Sequence, residues 1–244
     1  MNVLLPAKSR PAFPIDLLHR FASREWRMSF APMTVGWKSL CEACLLVSLL
    51  FSPRMTVVRA DDWPQFRGPN ASGVAASAKH LPTEFSAEQN VRWSSKLGDG
   101  IACPIVCQGK VFCTAMTDAQ TFSVFAFDAS DGKSLWKKDF STGKLPRITP
   151  PNSHAASTPC CDGKRVYVHF STLGLLALDA NTGEQVWQHN LPPANYLMDW
   201  GSASSPIVHE GVVYFNQDDD LAPTLYAMDA QTGREKWHVD RPDM

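Results

Sequence analysis

The chain has 244 residues, with 23 Lys+Arg against 24 Asp+Glu and a formal net charge of −1. That balance, with no basic block anywhere, excludes the electrostatic footprint of a nucleic-acid binder. The apolar run at 44–51 is too short for a transmembrane helix, so no span is expected in the mature form.

Residues 1–60 read as a leader and signal peptide. Lys38 precedes the apolar run, Arg24 and Arg27 lie further upstream, and Val58-Arg59-Ala60 ends in the small residue that suits cleavage before Asp61. Met28 and Met33 are alternative starts. Cys41 and Cys44 have C-x-x-C spacing but lack the preceding small residues of a lipoprotein signal. The expected destination is export, to the periplasm or cell envelope. Residues 61–90 form an N-terminal extension, and Trp93 then sits in a segment, 91–97, that reads as an orphan fourth strand.

From there one unit recurs three times. Pro104, Pro159 and Pro206 each open a short strand, and a Gly turn (Gly109, Gly163, Gly211) leads to a second strand carrying Val111-Phe112, Val166-Tyr167 and Val213-Tyr214. A third apolar run ends in Asp128, Asp179 or Asp229. A turn closing on Gly132, Gly183 or Gly233 follows, and a fourth strand carries Trp136, Trp187 or Trp237. The Asp can accept hydrogen bonds from the backbone of its own turn, and the Gly suits a positive φ. The Trp is a large apolar anchor. A period near 50 residues with four strands per unit is one propeller blade. The expected fold is therefore all-β: a partial β-propeller of four-stranded antiparallel blades over 91–244, with three complete blades and one extra strand.

The pattern Ala-x-Asp-x-x-Thr-Gly-x-x-x-Trp resembles the quinoprotein-type (PQQ-like) β-propeller repeat, with Asp131 replacing Thr in the first copy. The resemblance implies either a quinone-dependent dehydrogenase, holding PQQ and Ca²⁺ at the propeller axis, or a non-enzymatic propeller such as the scaffolding lipoprotein of outer-membrane protein insertion. Some exported bacterial propellers open with a segment like Asp62-Trp63-Pro64-Gln65-Phe66-Arg67-Gly68-Pro69. A ring of seven or eight such blades needs roughly 350–400 residues. A fragment of a longer propeller is therefore expected, the other reading being a ring completed by a second chain. Open outer blades would favour self-association.

Candidate chemistry is sparse. Quinoprotein dehydrogenases place a disulfide between adjacent cysteines against the quinone, and Cys160-Cys161-Asp162 is similar in sequence. Adjacent strand residues point to opposite faces, however, so packing is the preferred reading of the pair. Cys103, Cys107 and Cys113 bring the mature count to five, and one disulfide across the first hairpin of blade one is compatible with their spacing. The acidic run 216–220 lacks the Gly and the Asp-x-Asp spacing of a calcium loop and reads as a solvated or capping loop. His169 is expected to pack between blades. The loops entering blades two and three carry Asn152 and His154, and Asn195, Tyr196, Asp199 and Trp200, which are expected to gather at one mouth of the channel as a recognition surface. No catalytic residue and no metal site is assigned.

The function expected is that of a binding or scaffolding module for a protein or peptide, without a cofactor. A PQQ- and calcium-dependent dehydrogenase or its remnant is the alternative, and a glycan-binding propeller is the third reading.

Overall fold

The computed structural model describes residues 62–79 and 81–241. The leader and signal peptide expected over 1–60 lie outside the described residues.

Each repeat folds as one antiparallel sheet with its strands in chain order. Blade one is β1 (Ile105–Cys107), β2 (Lys110–Asp118), β3 (Thr121–Asp128) and β4 (Ser134–Ser141). Blade two is β5 (Cys160–Cys161), β6 (Arg165–Phe170), β7 (Gly174–Asp179) and β8 (Gln185–His189). Blade three is β9 (Ile207–His209), β10 (Val212–Gln217), β11 (Thr224–Asp229) and β12 (Glu235–Asp240). This is the architecture of a partial β-propeller with three complete blades.

The middle strands of blades one and two are buried almost without interruption. Period-2 alternation persists nonetheless, because each face packs on a different neighbour. In blade three, β10 alternates buried with half-buried residues. On β2, Val111, Cys113 and Ala115 pack toward Leu97, Phe127 and the half-buried Trp93, whereas Phe112 and Met116 pack toward blade two. There Phe122 stacks on Phe170 with ring centroids 4.3 Å apart. Between blades two and three, Tyr167 and Leu175 meet Val213, Phe215 and Met228.

The Asp turn closes locally. Asp179 accepts the N–H groups of Asn181 (2.8 Å) and Thr182 (2.9 Å) on one carboxylate oxygen, while Gly183 N–H donates to the Asp179 carbonyl at 2.9 Å. Asp128 and Asp229 accept the N–H of Ser130 and of Thr232 in the same way. These bonds hold all three carboxyls below the usual carboxylate range, chiefly through the Ser130 hydroxyl at Asp128, the Thr182 N–H at Asp179 and the Thr232 hydroxyl at Asp229.

The repeated Trp latches one blade to the next where a next blade follows. Trp136, Trp187 and Trp237 pair across the sheet with Ala126, Ala177 and Ala227, and a bulge follows each pair. The ring also lies beside the aromatic residue of its own second strand, Phe112, Tyr167 or Tyr214. In blades one and two it then reaches into the following blade. Trp136 Nε1 donates to Ala180 O at 3.3 Å, and Trp187 Nε1 to Ala230 O at 3.0 Å. The ring covers the Gly of that blade so closely that a Cβ on Gly183 would lie 2.6 Å from the Trp136 ring, and one on Gly233 the same distance from Trp187. Gly183 is thus required twice, for its φ of +73° and for the absent side chain.

Segment 91–97 enters the same scheme from outside. It forms no laddered strand among the described residues, but Trp93 covers Gly132 and donates to Ala129 O at 3.2 Å, as an in-blade Trp does. Trp237, by contrast, is 43 % exposed.

The opening segment ties blades one and two together. Trp63 pairs with Val106 on the free edge of β1, through N–H···O bonds of 2.7 and 2.9 Å, and the Pro64 carbonyl accepts Cys161 N–H from β5 at 2.9 Å. Asp62 accepts Gln108 N–H at 2.8 Å. Edge backbone that would otherwise template association is satisfied within the chain.

Candidate functional site

The loops that enter blades two and three emerge at the same end of the sheets as the β6–β7 and β10–β11 connections. They are long because they carry the chain from an outer strand to the next inner one, and polar because their backbone lies at the surface. Direct bonds stitch them together. Thr149 N–H donates to Asp199 O at 2.6 Å, Thr149 Oγ1 donates to Met198 O at 3.1 Å, and Asn152 Nδ2 donates to Trp200 O. Arg147 adds an exposed ion pair with Asp199 at 3.9 Å.

The acidic run then fixes the second loop from its other side. Asp219 accepts the N–H groups of Asn195, Leu221 and Ala222 at 2.7, 2.7 and 2.8 Å, and Asp220 accepts Leu197 N–H at 2.8 Å. Burial raises the Asp219 pKa, but its three backbone donors outweigh that and hold the carboxyl below the usual range. Asp218 pairs with Arg241. The run therefore acts as a cap. Among the described residues, no group of three or more His, Cys, Asp or Glu side chains is placed to hold a metal ion.

Of the six residues expected at the channel mouth, Asn152 and Trp200 meet directly, and Asp199 joins the same loop contact through Thr149. His154 and Tyr196 line a cavity of about 460 Å³ beneath them. Asn195 belongs elsewhere, its N–H and side chain turned to Asp219. The cavity lies between the two loops and the β6–β7 connection, and its wall combines Leu145, Ile148 and Leu191 with Ser157, His169 and Ser202. Burial lowers the pKa of His154 against the opposing pull of Asp99, and pushes that of His169 down to about 3, so both imidazoles are neutral at pH 7. His169 packs on Phe215, ring centroids 4.2 Å apart, and also faces the cavity.

Sequence reasoning missed the floor of this cavity. Ser171 and Thr172, between β6 and β7, both line it, but their hydroxyls are buried away from it and have no hydrogen-bond partner. The connection Ser171-Thr172-Leu173-Gly174 marks a turn but carries no sign of unpaired hydroxyls. Also missed was a seam that runs along the blades beside the repeat prolines. Cys103 N–H donates to Thr158 Oγ1 at 3.1 Å, and Thr158 N–H donates to Ser205 Oγ at 3.0 Å.

The five described cysteines are free thiols, so the disulfide compatible with the first hairpin of blade one does not form. Cys113 is buried on β2, while Cys107 on β1 turns to Cys161 of blade two, whose thiol is its largest electrostatic neighbour. Cys160 and Cys161 belong to two different interblade cores, on opposite faces of β5. The vicinal pair therefore does not fit a disulfide pressed against a quinone ring. Burial raises the Cys160 thiol well above its usual range, and the bond to Cys107, seconded by burial, does the same at Cys161.

Comparison with known proteins agrees with this architecture. The family model described as outer membrane protein assembly factor BamB matches residues 74–200 and 199–244. The quinohemoprotein alcohol dehydrogenase ADH-IIG of Pseudomonas putida is 31% identical over 180 residues, covering 65% of this chain and 23% of that protein. The outer membrane protein assembly factor BamB of Moranella endobia is 30% identical over 119 residues, covering 48% of this chain and 28% of that protein. The crystal structure of BamB from Moraxella catarrhalis aligns with 62% of this chain and 40% of its own at 18% identity and a TM-score of 0.42. The chain thus spans about a quarter of the length of these two curated relatives. With its three Asp-turn blades and a family match over most of its length, the chain belongs to the PQQ-like β-propeller repeat family of the outer membrane protein assembly factor BamB type.

Proposed function

We propose that this chain is a protein-binding or scaffolding module that works outside the cytoplasm, in the periplasm or cell envelope. The observation that carries the reading is the ridge formed by Leu197, Met198 and Trp200, which are 73%, 64% and 64% exposed. The loop that presents them is pinned by Thr149, Asn152, Asp219 and Asp220, so little ordering is left to offset on binding. A rigid, exposed apolar ridge with an aromatic anchor is the usual composition of a protein-docking surface. Kinship with an assembly factor supports the same reading, and among the described residues no helix is long and apolar enough to cross a membrane.

A photo-crosslinking residue placed at Met198 in the full chain tests it, with Lys133, at the opposite end of blade one, as control. A discrete protein adduct is expected from position 198 alone, reduced by Trp200→Ala. No adduct at 198, or the same adduct from 133, would overturn the reading.

The dehydrogenase reading keeps one observation in its favour, the identity with quinohemoprotein alcohol dehydrogenases. Quinone absorbance retained through desalting after incubation with PQQ and Ca²⁺ would support it. The back-to-back placement of Cys160 and Cys161 argues against it.

A further inference from the structure

The seam between blades one and two ends in a pair of thiols. Cys107 is the last residue of β1 and Cys161 the last of β5, and both belong to the core that the two blades share, each 4% exposed. The Cys161 thiol bonds to the Cys107 sulfur, and Gly163 N–H donates to Cys161 Sγ at 3.2 Å. The bond between the thiols lowers the Cys107 pKa below the usual thiol range and raises that of Cys161. The other described cysteines stand apart, Cys113 and Cys160 in different cores and Cys103 at the surface.

The backbone holds the pair in place. Trp63 exchanges two hydrogen bonds with Val106, Asp62 accepts Gln108 N–H, and the Pro64 carbonyl accepts the N–H of Cys161 itself. Three consecutive residues thus grip both chain neighbours of Cys107 and the cysteine opposite. The turns that follow the two strands abut as well, since a Cβ on Gly163 would lie 2.5 Å from Gln108 Nε2. Sulfurs already in contact, on strands clipped to one another, can be bridged without moving the backbone, which is the main geometric demand on a disulfide. A metal ion fits less well, because among the described residues no group of three or more His, Cys, Asp or Glu side chains gathers around it.

We infer that Cys107 and Cys161 join as a disulfide under oxidising conditions and staple blade one to blade two. The staple sits beside the Gly109 and Gly163 turns, at the end of the sheets opposite the β6–β7 and β10–β11 connections, so it fastens the scaffold and leaves the docking ridge alone. The Cys107 thiolate attacks an external disulfide such as oxidised glutathione, breaking its S–S bond and releasing one thiolate. Cys161 gives its proton to that thiolate and attacks the Cys107 sulfur of the mixed disulfide, expelling the second glutathione, which takes up the proton Cys107 had lost. Two protein thiols are oxidised and one oxidised glutathione is reduced to two thiols. The exchange belongs to folding, before the seam closes over the pair. A compartment outside the cytoplasm permits such a bond.

The test refolds the reduced full chain with oxidised glutathione and maps the non-reduced peptides by mass. A linked peptide pair joining Cys107 to Cys161 is expected. The oxidised chain should also melt about 5–15 °C above the reduced one, as a bridge closing a loop of this length does. Cys107→Ala should lose both effects and Cys160→Ala should keep both; should either variant fail to refold, the map and midpoint of the parent chain decide. Cys107 and Cys161 left free or capped by glutathione, either of them bonded to another cysteine, or a link that leaves the midpoint unchanged overturns the inference. Because the oxidant is supplied, the result does not depend on where the chain resides, and the crosslink from position 198 should be the same in both redox states, so the staple and the docking ridge fail separately.

Discussion

Gly183→Ala isolates the latch between blades one and two. Gly183 has φ +73°, and its missing Cβ would stand 2.6 Å from the Trp136 ring, against an ordinary contact of about 3.5–4.0 Å. Gly109 supplies the control, with φ +74° and nothing within 4 Å of its Cβ position. Holding alanine in the left-handed region costs roughly 1–2 kcal/mol at either site. At Gly183 the ring must also move. That weakens the 3.3 Å bond to Ala180 O, a loss of about 0.5–1.5 kcal/mol, and uncovers on the order of 40–80 Å² of apolar surface, about 1–2 kcal/mol. Gly183→Ala should therefore destabilise by roughly 2–3 kcal/mol more than Gly109→Ala in urea unfolding followed by circular dichroism. Measured in a Trp136→Leu background, most of that excess should vanish, since the clash goes with the ring. If the two alanine variants lose equal stability, the ring does not dock on Gly183 and the latch is wrong.

Trp187→Ala should cost about 3–5 kcal/mol and Trp237→Ala only about 1 kcal/mol, because Trp187 is 8% exposed and bonded to Ala230, whereas Trp237 is 43% exposed; unfolding midpoints compare them. The depressed carboxyls of Asp128, Asp179 and Asp229 contribute stability that is full above the ordinary carboxylate pKa near 3.8 and is lost as pH falls through their lower folded values. His169 acts earlier. With its folded pKa near 3 and an unfolded value near 6.5, the unfolded chain binds the extra proton, so stability should already decline between about pH 6.5 and 4.5, and His169→Phe should flatten that part of a midpoint-against-pH curve. Among the five described thiols, iodoacetamide should label Cys103 fastest in the native protein by peptide mass mapping, because Cys107, Cys113, Cys160 and Cys161 are buried. Rapid native labelling at Cys113, whose thiol burial pushes up to about 12, would contradict the packing of β2.

How far the site could be read from sequence depended on the span of each interaction. Asn152, His154, Tyr196, Asp199 and Trp200 could be grouped because two loops at equivalent places in successive repeats must emerge at the same end of the blades. Asn195 was grouped with them by position, yet its partner is Asp219, on a connection no periodicity links to it. Ser171 and Thr172 carried no distinguishing pattern, since an unpaired hydroxyl is defined by what surrounds it.

The repeat by itself determined the blade. A carboxylate, two or three backbone N–H groups and a glycine with positive φ close within five residues, so the turn, the strand count and the 50-residue period are written locally. The tertiary structure alone decided what the repeated Trp does. Its partners, the Ala carbonyl and bare Gly Cα, lie 43–47 positions further along the chain for the in-blade latches, as with Trp136 to Ala180 and Gly183. A contact of that reach exists only once two blades are stacked at a fixed angle. The same stacking sends Cys160 and Cys161 to opposite cores and buries the Ser171 and Thr172 hydroxyls without partners, because burial and pairing belong to the assembled blades and not to any one strand.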